Sequence, residues 1–472
     1  MEKTALLGGT SAYSGASIYL PGSRVQRRAE IDDSTESART YLKALLGDDT
    51  AAELREAFLD AAPRVVEFLE NDPDIEFEWQ AFPEYYEAPG RTARGRSFVP
   101  LPIAAERLGA LAALVRPPVD RDRAGLSHDP SAPLAQGRAL IGRLALAFTN
   151  TGRGDVRTGT ALTSLIVEDG RVVGVEAQGP DGPVRLRARH GVLLAAGGFE
   201  SSAALRAERS VPGSAERTMA PDGAATGDAI TAAVAVGAAT GNLDQAWFCP
   251  GLATPDGRAA FTLGFRGGLI VDGTGGRFAN ESLPYDRMGR EMVAVDDRGP
   301  MHLIFDSKSK GLPAIAVPPA VPEEHLAAGT WVKADTLDEL AAKIGVPADA
   351  LAASVERFNG FAAKGVDEDF HRGEDPYDRY FTGGGHGLVA VDEGPFYAAR
   401  MVVSDLGTKG GLRIDPDARV LDASDRPIPG LYAAGNTTAS FTGPVYPGPG
   451  VPIGTGMAFA YRAVQAMASE EK

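Results

Sequence analysis

The sequence predicts an α/β chain in which a domain assembled from two separated segments encloses a second, α+β domain. Three observations carry the prediction. The apolar run Leu431 to Ala434 ends on Gly435-Asn436, and the run HGVLLAAGGFES ends on Gly197-Gly198. Glycines at the C-terminal ends of strands are where open α/β sheets bind ligands. Between these two runs the chain carries strands and helices of its own, and after Gly394-Pro395-Phe396-Tyr397 it returns to the first domain. The expected segments are 1–242, 243–400 and 401–472.

Composition narrows the class. At 472 residues there is length for two or three domains with a sizeable core. A net charge of −16 repels nucleic acid and anionic membranes alike. The single cysteine, Cys249, excludes a disulfide framework, a Cys-rich metal cluster and a redox-active pair, so a reducing compartment follows. Flanked by Trp247 and Phe248, it is expected as a small apolar filler. No stretch reaches the roughly 18 apolar residues of a spanning helix, and the start Met-Glu-Lys has no hydrophobic signal region. The expected location is the cytoplasm, with peripheral membrane association left open. The six histidines lack metal-ligand spacing, and no metal is expected.

Taken in order, residues 3–21 group Gly8, Gly9, Thr10, Ser11, Ser14 and Gly15. Such clustered N–H and hydroxyl donors suit a phosphate or a flavin edge, and a plain turn is the alternative. Residues 33–72 carry helical spacing with mixed charge and predict two amphipathic surface helices. Glu78 to Pro102 then sets Phe82, Tyr85 and Tyr86 on a loop bounded by proline and glycine, where they line either the core or an apolar ligand cavity. Leu162 to Glu168 and Arg171 to Glu176 alternate about Asp169-Gly170, a hairpin signal. HGVLLAAGGFES is expected as a buried strand, and Ala220 to Ala239 as a glycine turn capped by Asp228 before a small-residue helix. Further on come strands between Phe261 and Ser282, helices over Thr336 to Ile344 and Asp349 to Ala363, and an acidic, exposed run from Asp367 to Tyr380. ARVLDASDRPIPGLYAAGN resembles a hairpin.

The stretch Gly430 to Met457 is the most unusual. After Gly435-Asn436 it contains five more glycines and four prolines, and a helical pattern resumes at Met457. A segment so poor in core-forming side chains suits contact through the backbone. Glycines let a flat ring or an anion approach, and a helix start offers unpaired N–H groups.

One set of motifs runs through the chain in order: Glu2-Lys3, GGTSAYSG, LLAAGGFE, GDAI, RFANES-x-x-Y, DLGTKGGLRID, GLYAAGN and Y-x-G-P-G-x-x-I-G. Together they resemble the fumarate reductase/3-ketosteroid dehydrogenase flavoproteins, most closely the 3-ketosteroid Δ1-dehydrogenases, over Glu2 to about Met467. The resemblance implies a Rossmann-like domain binding FAD non-covalently, with a catalytic domain inserted into it. Carried over motif by motif, the FAD contacts are Glu2, Lys3, Gly8, Gly9, Thr10, Ser14, Gly15, Ala196, Gly197, Gly198, Gly227, Asp228, Gly435, Asn436, Pro452 and Ile453.

Where fumarate-reducing members carry a proton-delivering arginine after Asn-Glu, this chain has Tyr285; Arg287 lies two residues further on. Neither arginine nor histidine occurs from Tyr446 to Gly454, so a dicarboxylate clamp is not expected and an apolar ketone is. The resemblance makes Tyr285 the base, Tyr85 its assisting phenol with Tyr86 as competitor, and Tyr446 with the Gly450 N–H the carbonyl-binding pair. The implied partners are a 3-ketosteroid or similar bulky apolar ketone and an electron acceptor that the sequence does not name. Alternatives are a 3-ketosteroid Δ4-(5α)-dehydrogenase, a related flavin ketone dehydrogenase or ene-reductase, and a non-catalytic ligand-binding protein. The last has a reason. Family members begin with a βαβ unit carrying G-x-G-x-x-G, and none of the 472 positions starts that motif. Either the start lies downstream of the natural one or the chain is an N-terminally truncated form; if it acts as it stands, weak or absent FAD binding and an exposed sheet edge are the expectation.

Overall fold

The computed structural model describes residues 1–47, 52–126, 128–316 and 321–469. They form two compact units. The first comprises Met1–Val211, Ala220–Ala246 and Gly407–Lys472, and the second Pro212–Met219 and Trp247–Leu406. Expected boundaries at 242/243 and 400/401 thus compare with observed ones at 246/247 and 406/407. Pro212–Met219 joins the second unit because the Met219 N–H donates to the Asp405 carbonyl at 2.9 Å and the Thr218 hydroxyl donates to the Asp405 carboxylate at 2.7 Å.

In the first unit, strand Pro427–Ala433 pairs antiparallel with Arg419–Leu421 and parallel with Val192–Leu194, which ends the three-stranded sheet. Val192–Leu194 is shorter and more exposed than its apolar sequence predicts, with only Leu194 buried. Ala161–Glu168, Arg171–Gly179 and Gly182–Arg187 form an antiparallel meander. Its first turn is the expected two-residue type: Glu168 pairs with Arg171, and Asp169 and Gly170 both take positive φ, +49° and +75°. Thr35–Leu46 and Ala52–Leu69 are the expected amphipathic helices; the second packs on the C-terminal helix Val451–Ser469.

Two expectations in this unit need correction. The C-terminal helix starts at Val451, six residues before Met457. Gly454 and Gly456 belong inside it because side chains there would strike the Tyr19 backbone at 2.1 Å and crowd Gly435 at 3.4 Å. Asp228 is not a cap but the first helical residue of Asp228–Val234. Gly227 is the N-cap, with φ +84°, and the Asp228 carboxylate pairs with Lys3 at 2.8 Å.

The second unit is built on an antiparallel sheet in the order Leu269–Val271, Met301–Asp306, Phe396–Thr408, Ala246–Ala253, Ala259–Phe261, with Trp331–Ala334 also pairing to Phe396–Thr408. Helices Leu337–Ile344 and Ala348–Lys364 bury Leu340, Leu351 and Phe358 in one cluster with Leu269, Ile304 and Ala398 of the sheet. The Asp367–Tyr380 run is not an exposed acidic face. Asp367, Arg372, Tyr377 and Asp378 are buried. The Arg277 guanidinium donates to Glu281 at 2.8 Å and to Asp367 at 2.7 Å, while Arg372 donates to Glu281 at 3.0 Å. Burial alone raises the pKa of Glu281, and the two arginines overcome this and hold it below the usual carboxylate range. These ions are expensive to bury, so the network persists only because each member is paired.

His302, on the interior strand Met301–Asp306 opposite Arg400, gives this unit an acid sensitivity. Burial and Arg400 depress its pKa to about 4, below an ordinary value near 6.5. The unfolded chain then binds the proton more tightly, so stability is complete above pH 6.5 and is lost as pH falls toward 4. Between pH 7 and 4.5 this residue contributes a loss of about 2 to 3 kcal/mol. Urea unfolding of His302→Gln at both pH values should show a smaller acid loss than the parent chain.

Candidate active site

The first unit brings three of the four expected catalytic positions together. Tyr85 and Tyr446 are 1 % and 2 % exposed. Their rings meet edge to face with centroids 5.2 Å apart, and the Phe82 ring also meets Tyr85 edge to face at 6.4 Å. Tyr86, the competitor for the assisting role, is only half-buried, and its backbone N–H donates to the Tyr41 hydroxyl at 3.2 Å.

Gly450 closes the run that Tyr446 begins. Its φ is +86°, and a Cβ there would lie 2.4 Å from the Ser17 backbone. Its carbonyl accepts from the Tyr19 N–H at 3.2 Å and the Gly454 N–H at 2.9 Å. Only glycine satisfies both the backbone conformation and the space. Gly450→Ala should therefore lower the urea midpoint, corresponding to a stability loss of about 1–3 kcal/mol; an unchanged midpoint would contradict this account of the loop.

Beneath the loop lies a charged core that the sequence did not announce. Arg96 is fully buried; its guanidinium donates to Asp33 at 2.8 Å, pairs with Glu84 at 2.9 Å and sits 5.8 Å from the Tyr41 ring centroid. Glu84 accepts in addition from the Tyr19 hydroxyl at 2.6 Å and the Thr92 N–H at 2.7 Å. Lys409, fully buried, donates to the Val445 carbonyl. Glu84 precedes Tyr85 and Lys409 belongs to the DLGTKGG motif, but nothing local in the sequence marks Arg96 or Tyr41 as their partners.

Tyr285 lies in the second unit as the first residue of helix Tyr285–Ala294, after Pro284. It is 6 % exposed, and its ring meets Phe261 edge to face at 5.1 Å. The segment leading to it is fixed by the Arg277–Glu281–Arg372 network and by the Asn280 side-chain oxygen, which accepts from the Ser282 N–H at 2.8 Å. Within the same unit Arg266, Phe381, Leu388 and Val389 line a cavity of about 410 Å³.

The expected cofactor residues, all in the first unit, divide into exposed backbone and scaffold. Gly15 and Ala196 are exposed, and Gly9, Thr10, Gly197, Gly435, Asn436, Pro452 and Ile453 are half-buried. A Cβ on Gly9 or Gly15 would meet nothing within 4 Å. The other group is occupied by the fold. Gly8 faces Ile141 at 2.7 Å, Gly198 faces Thr408 and Glu200, and Gly227 faces Leu205 at 2.6 Å. Ser14 is held in a turn with Ser11, Lys3 pairs with Asp228, and one oxygen of Glu2 accepts from Thr4. Open glycine backbone beside a long helix start fits a large, flat, anionic group. Among the described residues there is no cluster of His, Cys, Asp and Glu able to hold a metal ion, and no helix is long and apolar enough to cross a membrane.

The FAD binding domain family matches residues 1–453. The chain belongs to that family. FAD is accordingly its cofactor. Two named relatives resemble the chain over nearly its full length. A 3-oxosteroid 1-dehydrogenase from Rhodococcus opacus is 42% identical over 99% of this chain and 93% of its own. A 3-oxosteroid 1-dehydrogenase from Mycolicibacterium smegmatis is 38% identical over 98% of this chain and 91% of its own. Among solved structures, a 3-ketosteroid Δ1-dehydrogenase from Sterolibacterium denitrificans in complex with 1,4-androstadiene-3,17-dione superposes with a TM-score of 0.88. It is 32% identical and covers 99% of this chain and 94% of that one.

Proposed function

We propose that this chain is an FAD-dependent 3-ketosteroid Δ1-dehydrogenase, with Met1–Val211, Ala220–Ala246 and Gly407–Lys472 holding the cofactor and the inserted unit carrying the base. The observation that carries the reading is the contact between two buried phenols, Tyr85 and Tyr446, whose ring centroids lie 5.2 Å apart; Tyr446 opens the run that closes at Gly450, where a Cβ would strike the Ser17 backbone at 2.4 Å. An enzyme that desaturates beside a ketone needs a proton acceptor, donors for the carbonyl oxygen and a hydride acceptor. FAD, when bound, supplies the two-electron acceptor for the hydride leaving C1.

The remaining roles belong to this chain's residues. The Tyr285 phenolate takes the C2 proton, and the electrons of the broken C2–H bond move toward the C3 oxygen as enolate charge. The Tyr446 hydroxyl and the Gly450 N–H donate to that oxygen, each such donor being worth about 2.7–4 kcal/mol in the transition state. As charge returns from the oxygen, hydride departs from C1 and the C1=C2 bond forms. A tyrosine base must be acidified. Lowering its pKa from about 10 to about 8 takes roughly 2.7 kcal/mol of preferential stabilisation of the phenolate, and Tyr85 is assigned as the donor that provides it.

The test is product analysis. Androst-4-ene-3,17-dione turned over with an artificial acceptor should lose two hydrogens and gain vinylic protons at C1 and C2. A 5α-reduced ketosteroid desaturated only between C4 and C5 would instead assign the Δ4-(5α) activity.

A further inference from the structure

The geometry points to Ser97 and Tyr41 as positioning residues for the carbonyl-binding loop, an inference that rests on the roles proposed for Tyr446 and Gly450. The run Tyr446-Pro447-Gly448-Pro449-Gly450 has little means of holding its own shape. Its two prolines lack N–H groups, and its two central and terminal glycines bring no side chains. Its conformation is imposed from outside by buried donors. The Ser97 hydroxyl donates to the Pro449 carbonyl at 2.6 Å, and the Tyr41 hydroxyl donates to the Pro447 carbonyl at 2.8 Å.

The planarity of the peptide unit turns the first contact into a functional one. The Pro449 carbonyl and the Gly450 N–H belong to the same trans peptide and point in opposite directions. Holding the carbonyl against Ser97 therefore aims the Gly450 N–H away from Ser97, along a fixed line. Ser97 is itself held firmly. Its carbonyl accepts from the Gln80 N–H at 3.0 Å, and the preceding carbonyl, that of Arg96, accepts from the Gln26 side chain at 2.5 Å. Both Ser97 and Tyr41 are fully buried.

Tyr41 serves the other end of the run. Its hydroxyl accepts from the Tyr86 N–H at 3.2 Å while donating to Pro447, and the same Pro447 carbonyl accepts from the Tyr85 N–H at 3.1 Å. One phenol thus ties the segment bearing Tyr85 to the segment bearing Tyr446. Burial and the nearby Glu84 carboxylate push its pKa far above that of a free phenol, so it remains a donor at every working pH. Neither residue touches substrate in this account; each acts through the direction it gives to a group that does.

Ser97→Ala and Tyr41→Phe, prepared with FAD, test this. Misdirecting a donor by a fraction of an ångström should lower kcat about 10- to 100-fold, with flavin content unchanged and KM for the steroid within about twofold. The decisive readout is the infrared C3 carbonyl stretch of bound androsta-1,4-diene-3,17-dione. In Ser97→Ala it should move back toward its value in solution, as it should more fully in Tyr446→Phe. Wild-type kcat and stretch in both Ser97→Ala and Tyr41→Phe, even with a lowered melting temperature, would overturn the proposal. Should Ser97→Ala fail to fold, Tyr41→Phe, which keeps the ring packing, decides alone. A wild-type rate and stretch in Tyr446→Phe would instead sink the carbonyl-binding reading on which the inference rests.

Discussion

Tyr285→Phe should lower turnover of a 3-ketosteroid by about 10³-fold or more while the bound-flavin spectrum stays that of the parent chain. Proton transfer by a positioned side chain contributes about 10²- to 10⁴-fold, and phenylalanine has no atom to accept the proton. The substitution is also structurally mild. Tyr285 is nearly buried at the start of its helix, and its edge-to-face contact with Phe261 depends on the ring, which phenylalanine keeps. The polar network leading to it is built on Arg277, Glu281 and Arg372. Rapid mixing of the FAD-loaded variant with substrate under anaerobic conditions separates the two effects: flavin absorbance present but not bleached is the expected result. Bleaching at the parent rate would remove Tyr285 from the mechanism.

Tyr446→Phe should cost about 10²- to 10³-fold in kcat, the range for deleting one donor to a developing oxyanion. Here too the ring contact with Tyr85 survives the loss of the hydroxyl. The Gly450 N–H remains, so residual activity well above background is part of the expectation. An unchanged kcat would mean that the C3 oxygen is bound elsewhere.

These two residues show unequally what could be read from the chain. The Tyr446–Gly450 run stands out because it lies in a stretch with five glycines, four prolines and few core-forming side chains, and Gly450 and Gly454 prove to be places where a side chain has no room. The start of the following helix is hidden for the same reason: glycine inside a helix lowers propensity, and only close approach to Tyr19 and Gly435 explains Gly454 and Gly456 there. The hairpin about Asp169-Gly170 was legible because its turn chemistry is local. Charge was not legible. The run Asp367–Tyr380 looks like a solvated face, yet Asp367 pairs with Arg277 across 90 residues of sequence. Tyr41 presents as an apolar position of an amphipathic helix, and only its hydroxyl, bonded to Pro447 and Tyr86, ties it to the site.

The most direct measurement is the visible absorption spectrum of the purified chain supplied with FAD, before and after anaerobic addition of androst-4-ene-3,17-dione. The account predicts oxidised-flavin bands that remain with the protein through gel filtration and bleach when the steroid is added. Absence of bound flavin, or bound flavin whose bands are unchanged by the steroid, would contradict it.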